Sequence, residues 1–255
     1  MKILGIIPAR MASTRFPNKP MAKILNIPMI GHVYLRSDYS KLITDLYVAT
    51  CDKIIYDYIN SINGNCIMTS IKHERASDRT AEALLKIEKI KNVKYDIVVM
   101  IQGDEPMIYP DMIDSAVDPL IKDKKIKISN LMSEIEDLNE FNDPAEVKVV
   151  FDKFNDAIYF SREPIPSEKK FPKKFKKYKQ VCIIPFTRDF LIKYNKMKQT
   201  PLEIIESIDM NRIIENGFKI KMINSDRKTY SVDTKEDLKK VNALMINDVL
   251  SKKYI

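Results

Sequence analysis

Short apolar runs alternate along this chain with amphipathic stretches whose apolar residues recur at helical spacing, and this alternation most restricts what it can fold into. KILGII (from Lys2), DLYVAT (Asp45), NCIMT (Asn65), YDIVVMIQ (Tyr95), IKISNLM (Ile126) and VKVVFD (Val147) have the length and β-branched content of strands. Between them, KIIYDYINSI and RTAEALLKIEKI keep an apolar spacing near 3.6 residues. The expectation is an α/β fold, three-layered and Rossmann-like, with a mixed but mainly parallel sheet. Beyond about residue 150 the pattern changes. AIYFSR and QVCIIPF read as strands flanking a lysine-rich excursion, and LEIIESIDMNRIIENG and TKEDLKKVNALMINDVL read as helices, with Gly217 placed to stop the first. With no internal repeat and no linker, residues 1–255 are expected to form a single domain.

Composition narrows the class. Hydrophobic residues at 45% and charged residues at 31% are ordinary for a soluble globular protein, and no apolar run approaches the roughly 20 residues of a membrane span. The start, MKILGIIPAR, reads as a strand and not as a secretory leader. Cys51, Cys66 and Cys182 are far apart and form no CxxC, so neither a disulfide framework nor a zinc site is expected, and a reducing cytoplasm is the expected setting. The net charge of +8 suits a polyanionic partner. The lysines interleaved with aromatics from Glu168 to Lys179 fit either a solvated loop or a phosphate backbone. Of the two histidines, His32 reads as structural, and neither belongs to a zinc or triad pattern.

In an open α/β sheet, ligands bind beyond the carboxyl ends of the strands, which makes the loop after the first strand the prime site. That loop, PARMASTRFPNKP, carries Arg10, Ser13, Arg15 and Lys19, whereas neither GxGxxG nor GxxxxGK[ST] occurs and the chain holds only five glycines. Such a cluster could hold a triphosphate through cationic side chains, or it could be an ordinary surface loop. In IQGDEPMI an apolar strand ends at Gln102, Gly103, Asp104 and Glu105. Carboxylates so placed suit Mg²⁺, and a capping turn is the alternative. In SVDTKEDL, Asp233 alone reads as the N-cap of the helix that follows.

Taken together, IPARMASTRFPNKPMAKILNIPMIGHVYLRS, VATCDKIIYDYI, HERASDRTAEAL, QGDEPMI, DPAEVKVVFD, AIYFSREPIP, TPLEIIES and SVDTKEDL resemble, in family order from residue 2 to about 245, the 3-deoxy-manno-octulosonate (KDO) cytidylyltransferases. The resemblance implies a nucleotide-sugar transferase fold, a homodimer and a Mg²⁺-dependent transfer of CMP from CTP to a sugar acid. It implies a place in surface polysaccharide synthesis, with CTP and an acidic sugar as partners and with neither nucleic acid nor membrane. Residue by residue, it implies that Arg10 and Lys19 hold the CTP phosphates, with Ser13 and Arg15 in the same loop. Asp104 and Asp233 would bind the metal, and Arg10, Lys19 and Asp104 would be the catalytic set. Gln102 would recognise nucleotide or sugar, Ser77 and Arg79 would line the cytidine side, and Arg162 would be the arginine of the SRxxIP motif.

The departures fall on the acceptor side. The family's HxSGT(D/E)R becomes His73-Glu74-Arg75-Ala76-Ser77-Asp78-Arg79; an HxGIYGYR-like strand has Gln180 for histidine and Ile184 for tyrosine; a Glu-Gln pair becomes Asp209-Met210. Met210 cannot donate the hydrogen bond of a glutamine amide, a loss of about 1–3 kcal/mol at a buried hydroxyl. Arg162, Gln180, Glu206 and Asp209 are the expected acceptor-binding residues, in a dimerisation or sugar-side subregion at about 150–200. The expected acceptor is KDO or a related 2-keto-3-deoxy sugar acid. An amino-substituted KDO, another sugar acid or a phosphonate is the alternative, and a non-catalytic nucleotide-binding or RNA-binding protein belongs to a different class.

Overall fold

The computed structural model describes residues 1–12, 16–170 and 175–255, which divide into two compact units: Met1–Asp114 with Thr229–Ile255, and Ser115–Lys228.

The first unit carries the doubly wound part. Its elements run β1 (Ile3–Ala9), β2 (Lys23–Ile24), β3 (Ile27–Pro28), α1 (Met29–Ser37), β4 (Asp45–Thr50), α2 (Lys53–Ser61), β5 (Cys66–Met68), α3 (Ala76–Lys91) and β6 (Ile97–Ile101). Strands β6, β1, β4 and β5 lie side by side in that order, all parallel, with Leu4 opposite Asp45 and Ile3 opposite Ile97. Parallel sheets are covered on both faces, which is why β1 and β6 are apolar runs without alternation; all five residues of β6 are buried.

The second unit comprises most of α4 (Pro110–Lys122), then β7 (Ser129–Ile135), α5 (Leu138–Asn142), β8 (Lys148–Phe151), β9 (Ala157–Ser161), β10 (Lys177–Val181), β11 (Ile183–Thr187), α6 (Arg188–Asn195), α7 (Pro201–Glu206), α8 (Asp209–Glu215) and β12 (Lys221–Ser225). Its sheet runs β12-β7-β10-β8-β9. Only β12 against β7 is parallel, so this is a second sheet, separate from the parallel one and mostly antiparallel, where a single mainly parallel sheet was expected. QVCIIPF does not form one strand: the chain breaks at Cys182 between β10 and β11. LEIIESIDMNRIIENG is likewise two helices, interrupted at Ser207, whose φ of 54° is left-handed; Gly217 does follow the second, at φ 75°.

The chain then returns to the first unit with α9 (Lys235–Met245), which packs Val241 and Met245 onto Ile24, Met29, Met107 and Phe16. Its N-cap is Thr234, not Asp233. Thr234 and Asp237 form a reciprocal capping box, which leaves the Asp233 carboxylate out of the cap. His32 is fully buried, its ring nitrogens 2.9 Å from the Tyr254 hydroxyl and 2.7 Å from the Ile24 carbonyl oxygen, a structural role as expected. Burial moves its pKa below the ordinary histidine value. No helix among the described residues is long and apolar enough to cross a membrane.

Candidate active site

The candidate site is built at the carboxyl ends of β1 and β6. After β1 the chain passes through Arg10 and reaches Lys19, the first residue of a 3₁₀ turn (Lys19–Met21) whose early proline fixes the backbone. After β6 it passes through Gln102 and Gly103 to Asp104. The backbone hydrogen bond from Val232 N–H to the Asp104 carbonyl, 3.0 Å, draws the segment before α9 alongside and places Asp233 next to Asp104. Asp104 caps no helix, since α4 begins only at Pro110.

The ammonium of Lys19 lies between the two carboxylates, 2.8 Å from Asp104 Oδ2 and 3.0 Å from Asp233 Oδ1. Burial on its own would lower the Lys19 pKa; the charges and hydrogen bonds of Asp104 and Asp233 outweigh it and hold the ammonium above its ordinary value. Asp104 Oδ1 is buried and accepts no hydrogen bond among the described residues. A buried carboxylate oxygen without a donor is costly unless a cation completes it. Among the described residues no cluster of three or more His, Cys, Asp or Glu side chains could hold a metal, so Asp104 and Asp233 stand as a pair. Two carboxylates suit Mg²⁺, which takes few protein ligands and fills its shell with phosphate oxygens and water. The donor set therefore fits that ion.

A cavity of about 380 Å³ opens over this cluster, walled by Ala9, Arg10, Lys19, His73, Glu74, Arg75, Arg79, Gln102 and Asp104. Arg79, on α3 and 3% exposed, donates through Nη1 to Thr69 Oγ1 and to the Ser70 carbonyl, while its Nη2 is buried without a partner among the described residues. Arg10, itself exposed, donates to the His73 carbonyl at 3.3 Å. Arg10, Lys19, Arg75 and Arg79 outnumber Glu74 and Asp104, so the cavity favours an anion.

Of the residues expected from sequence, Arg10, Lys19, Arg79, Gln102 and Asp104 line this cavity, and Asp233 is tied in through Lys19. Ser77 is buried in the first turn of α3 and does not line it. Ser13 and Arg15 lie outside the described residues. The four expected acceptor-binding residues, Arg162, Gln180, Glu206 and Asp209, fall in the second unit, whereas the altered segment His73–Arg79, expected on the acceptor side, lies in the first and contributes to the wall of this cavity. Glu206 accepts from Tyr159 (2.9 Å), Ser161 (2.8 Å) and the Arg162 backbone N–H (2.8 Å), and Arg162 donates to the backbone oxygens of Glu206 (2.7 Å) and Pro144 (2.8 Å). Arg162 and Glu206 are thus brought together in one hydrogen-bonded cluster. Gln180 instead donates to Asn130 at 2.6 Å, and the Asp209 carbonyl accepts from Tyr194 at 3.2 Å.

Sequence reasoning missed the wall formed by Glu74 and Ala76 and the role of Glu82, which accepts from His73 and from the Ser70 N–H (2.9 Å). Glu82 lies three residues beyond Arg79 on the same helical face, the one signal that could have marked it. In the lysine-rich segment, Lys176, Lys177 and Lys179 pair with Glu134, Glu168 and Glu140, while residues 171–174 lie outside the described ones.

An α/β sheet with a cationic loop and Asp104 beyond its strand ends, joined by Asp233 from the segment before α9, is the architecture of a site for a phosphorylated ligand, and similarity to known proteins places it among the nucleotidyltransferases. The profile of the family described as cytidylyltransferase matches residues 4–222. The chain is 41% identical over 251 residues to a 3-deoxy-manno-octulosonate cytidylyltransferase of Geobacter metallireducens, covering 94% of this chain and 96% of the relative. It is 42% identical over 245 residues to the protein of that name in Thermodesulfovibrio yellowstonii, covering 93% and 96%. Among solved structures, a CMP:2-keto-3-deoxy-manno-octonic acid synthetase complexed with CTP superposes with a TM-score of 0.88 at 34% identity, over 96% of this chain and 99% of that one. The chain belongs to the cytidylyltransferase family.

Proposed function

We propose that this protein transfers CMP from CTP to the hydroxyl of 3-deoxy-manno-octulosonate, releasing pyrophosphate, with Mg²⁺ as cofactor. The observation that carries the reading is the Lys19 ammonium between Asp104 and Asp233 at the foot of a cationic cavity. The nucleotide half is supported by the relative solved with CTP, and the acceptor half by the names of relatives about 40% identical over more than nine-tenths of the chain. The altered residues Gln180 and Met210 are weaker evidence for a different acid, since Gln180 already has a partner in Asn130.

The acceptor oxygen attacks the α-phosphorus, the bond from that phosphorus to the oxygen bridging to the β-phosphate breaks, pyrophosphate departs, and the hydroxyl proton passes to solvent. Positioning and charge neutralisation do most of the work in such chemistry. Lys19 and Arg10 hold the charge that accumulates on the leaving phosphates, and the free arm of Arg79 orients the nucleotide. Asp104 and Asp233 would hold Mg²⁺, which supplies further positive charge against the phosphate oxygens when bound. The reading extends to a cytoplasmic homodimer acting in surface polysaccharide synthesis, with the acceptor and the dimer contacts served by residues of about 150–200.

The test is product formation by purified protein given CTP, Mg²⁺ and 3-deoxy-manno-octulosonate, with Asp104→Asn alongside. Wild type is expected to give the CMP-sugar, and chelation of the metal or Asp104→Asn to stop it. Undiminished turnover by folded Asp104→Asn would remove the metal-holding role on which the reading rests.

A further inference from the structure

The loop from Thr69 to Arg75 supplies part of the cavity wall yet contains no regular structure, so something must fix its shape. The attachments come from one face of α3. Arg79 holds the loop at Thr69 Oγ1 and at the Ser70 carbonyl. Glu82, three residues on, takes the other side: its Oε2 accepts from the Ser70 N–H at 2.9 Å and from His73 Nε2, and its Oε1 pairs with Lys86 at 2.7 Å. A carboxylate can only accept, so the His73 proton toward it is on Nε2. With the ring pinned, the His73 backbone carbonyl is aimed across the cavity at Arg10 Nη1, 3.3 Å away. Arg10 is otherwise an exposed side chain with several rotatable bonds, and this contact is what holds its guanidinium against the wall.

We propose that Glu82 and His73 are positioning residues for nucleotide binding: the Glu82 carboxylate locks the 69–75 loop through Ser70 and His73, and the locked His73 carbonyl sets Arg10 where a phosphate meets it. The proposal rests on the reading of the cavity as a CTP site. It accounts for a charged side chain that faces no ligand and for a histidine that serves neither metal nor acid-base chemistry. Glu82 is ionised throughout the working range, because Lys86, the Ser70 N–H and His73 together overcome its burial and draw its pKa down to about 2.

The experiment compares wild type, Glu82→Gln and His73→Gln, with Lys89→Met, at an exposed lysine of the same helix, as the control. Amide hydrogen exchange on the nucleotide-free protein reads the loop directly. Segment 69–76 is expected to exchange at least about tenfold faster in Glu82→Gln and His73→Gln and unchanged in Lys89→Met, with the rest of α3 protected in all. Calorimetry with CTP alone reads the consequence. Glu82→Gln is expected to weaken CTP roughly tenfold in the wild-type background, the scale of one charged hydrogen bond, and less than about twofold in an Arg10→Gln background. Unchanged exchange across 69–76 in both loop variants, or the same loss of affinity with and without Arg10, overturns the proposal. Wild-type protein that binds no CTP would overturn the functional reading itself, and the exchange measurement, which needs no nucleotide, would still decide whether Glu82 holds the loop.

Discussion

Replacing Lys19 by methionine tests the centre of the site, because the geometry allows its effect to be worked out in sign and size. The side chain keeps much of its volume and loses its charge. Asp104 Oδ2 and Asp233 Oδ1 lie 2.8 and 3.0 Å from one nitrogen, so the two oxygens are no more than about 6 Å apart. Their mutual repulsion, roughly 3 kcal/mol at an effective dielectric constant of about 20, is offset in wild type by the ammonium's attraction to both and is left uncompensated in the variant. Urea unfolding of Lys19→Met in the absence of divalent metal is therefore expected to show a loss of about 3 kcal/mol. Mg²⁺ should recover a larger share in the variant than it adds to wild type, because it binds carboxylates no longer shared with lysine. Turnover should still fall by roughly 10²–10³, the usual cost of losing one preorganised charge-stabilising donor. A variant as stable as wild type without metal, with turnover within a few-fold of it, would refute the reasoning.

Three further substitutions have defined outcomes. Asp248→Asn leaves the fully buried Arg36 guanidinium, 2.6 Å from that carboxylate, without its counter-ion, and should cost about 3–5 kcal/mol in urea unfolding with no change in CTP affinity. Glu82 has its pKa lowered from 4.5 to about 2 in the folded state, so its contribution to stability is complete above about 4.5 and is lost as pH falls toward 2; acid unfolding of Glu82→Gln should lack that slope. Gly31→Ala would drive a new methyl into the Tyr58 hydroxyl, and a loss of about 1–3 kcal/mol in thermal or urea unfolding is expected from that crowding.

The first unit was the more legible half of the fold because a buried parallel sheet writes itself as uninterrupted apolar runs separated by helices, and β1, β4 and β6 lie within the stretches expected of them. The second unit was less so. Its strands pair mostly antiparallel, Cys182 interrupts an apolar run that continues on both sides, and β12, KMINS, is too polar and short to stand out. Ser207 could not be foreseen as a helix break, since its left-handed backbone depends on packing and not on residue type. At the site, Asp104 was readable because charge just past an apolar strand is conspicuous, and Lys19 because cations cluster in the loop after the first one. Asp233 read as a cap because the sequence offers Asp and Thr side by side; only the Val232–Asp104 backbone bond and the Thr234 capping box separate their roles. Glu82 was invisible for the opposite reason: a glutamate on an amphipathic helix looks solvated until the loop that folds onto it is known.

The central claim is that this cavity joins CTP to a sugar acid, and pyrophosphate release by the purified protein tests it most directly, with Mg²⁺ and CTP, UTP or ATP against 3-deoxy-manno-octulosonate, its 8-amino analogue, a sialic acid and small phosphonates. The account predicts release with CTP and 3-deoxy-manno-octulosonate well above every other pairing. Release with none of the acids, or equal release with ATP and UTP, would contradict it.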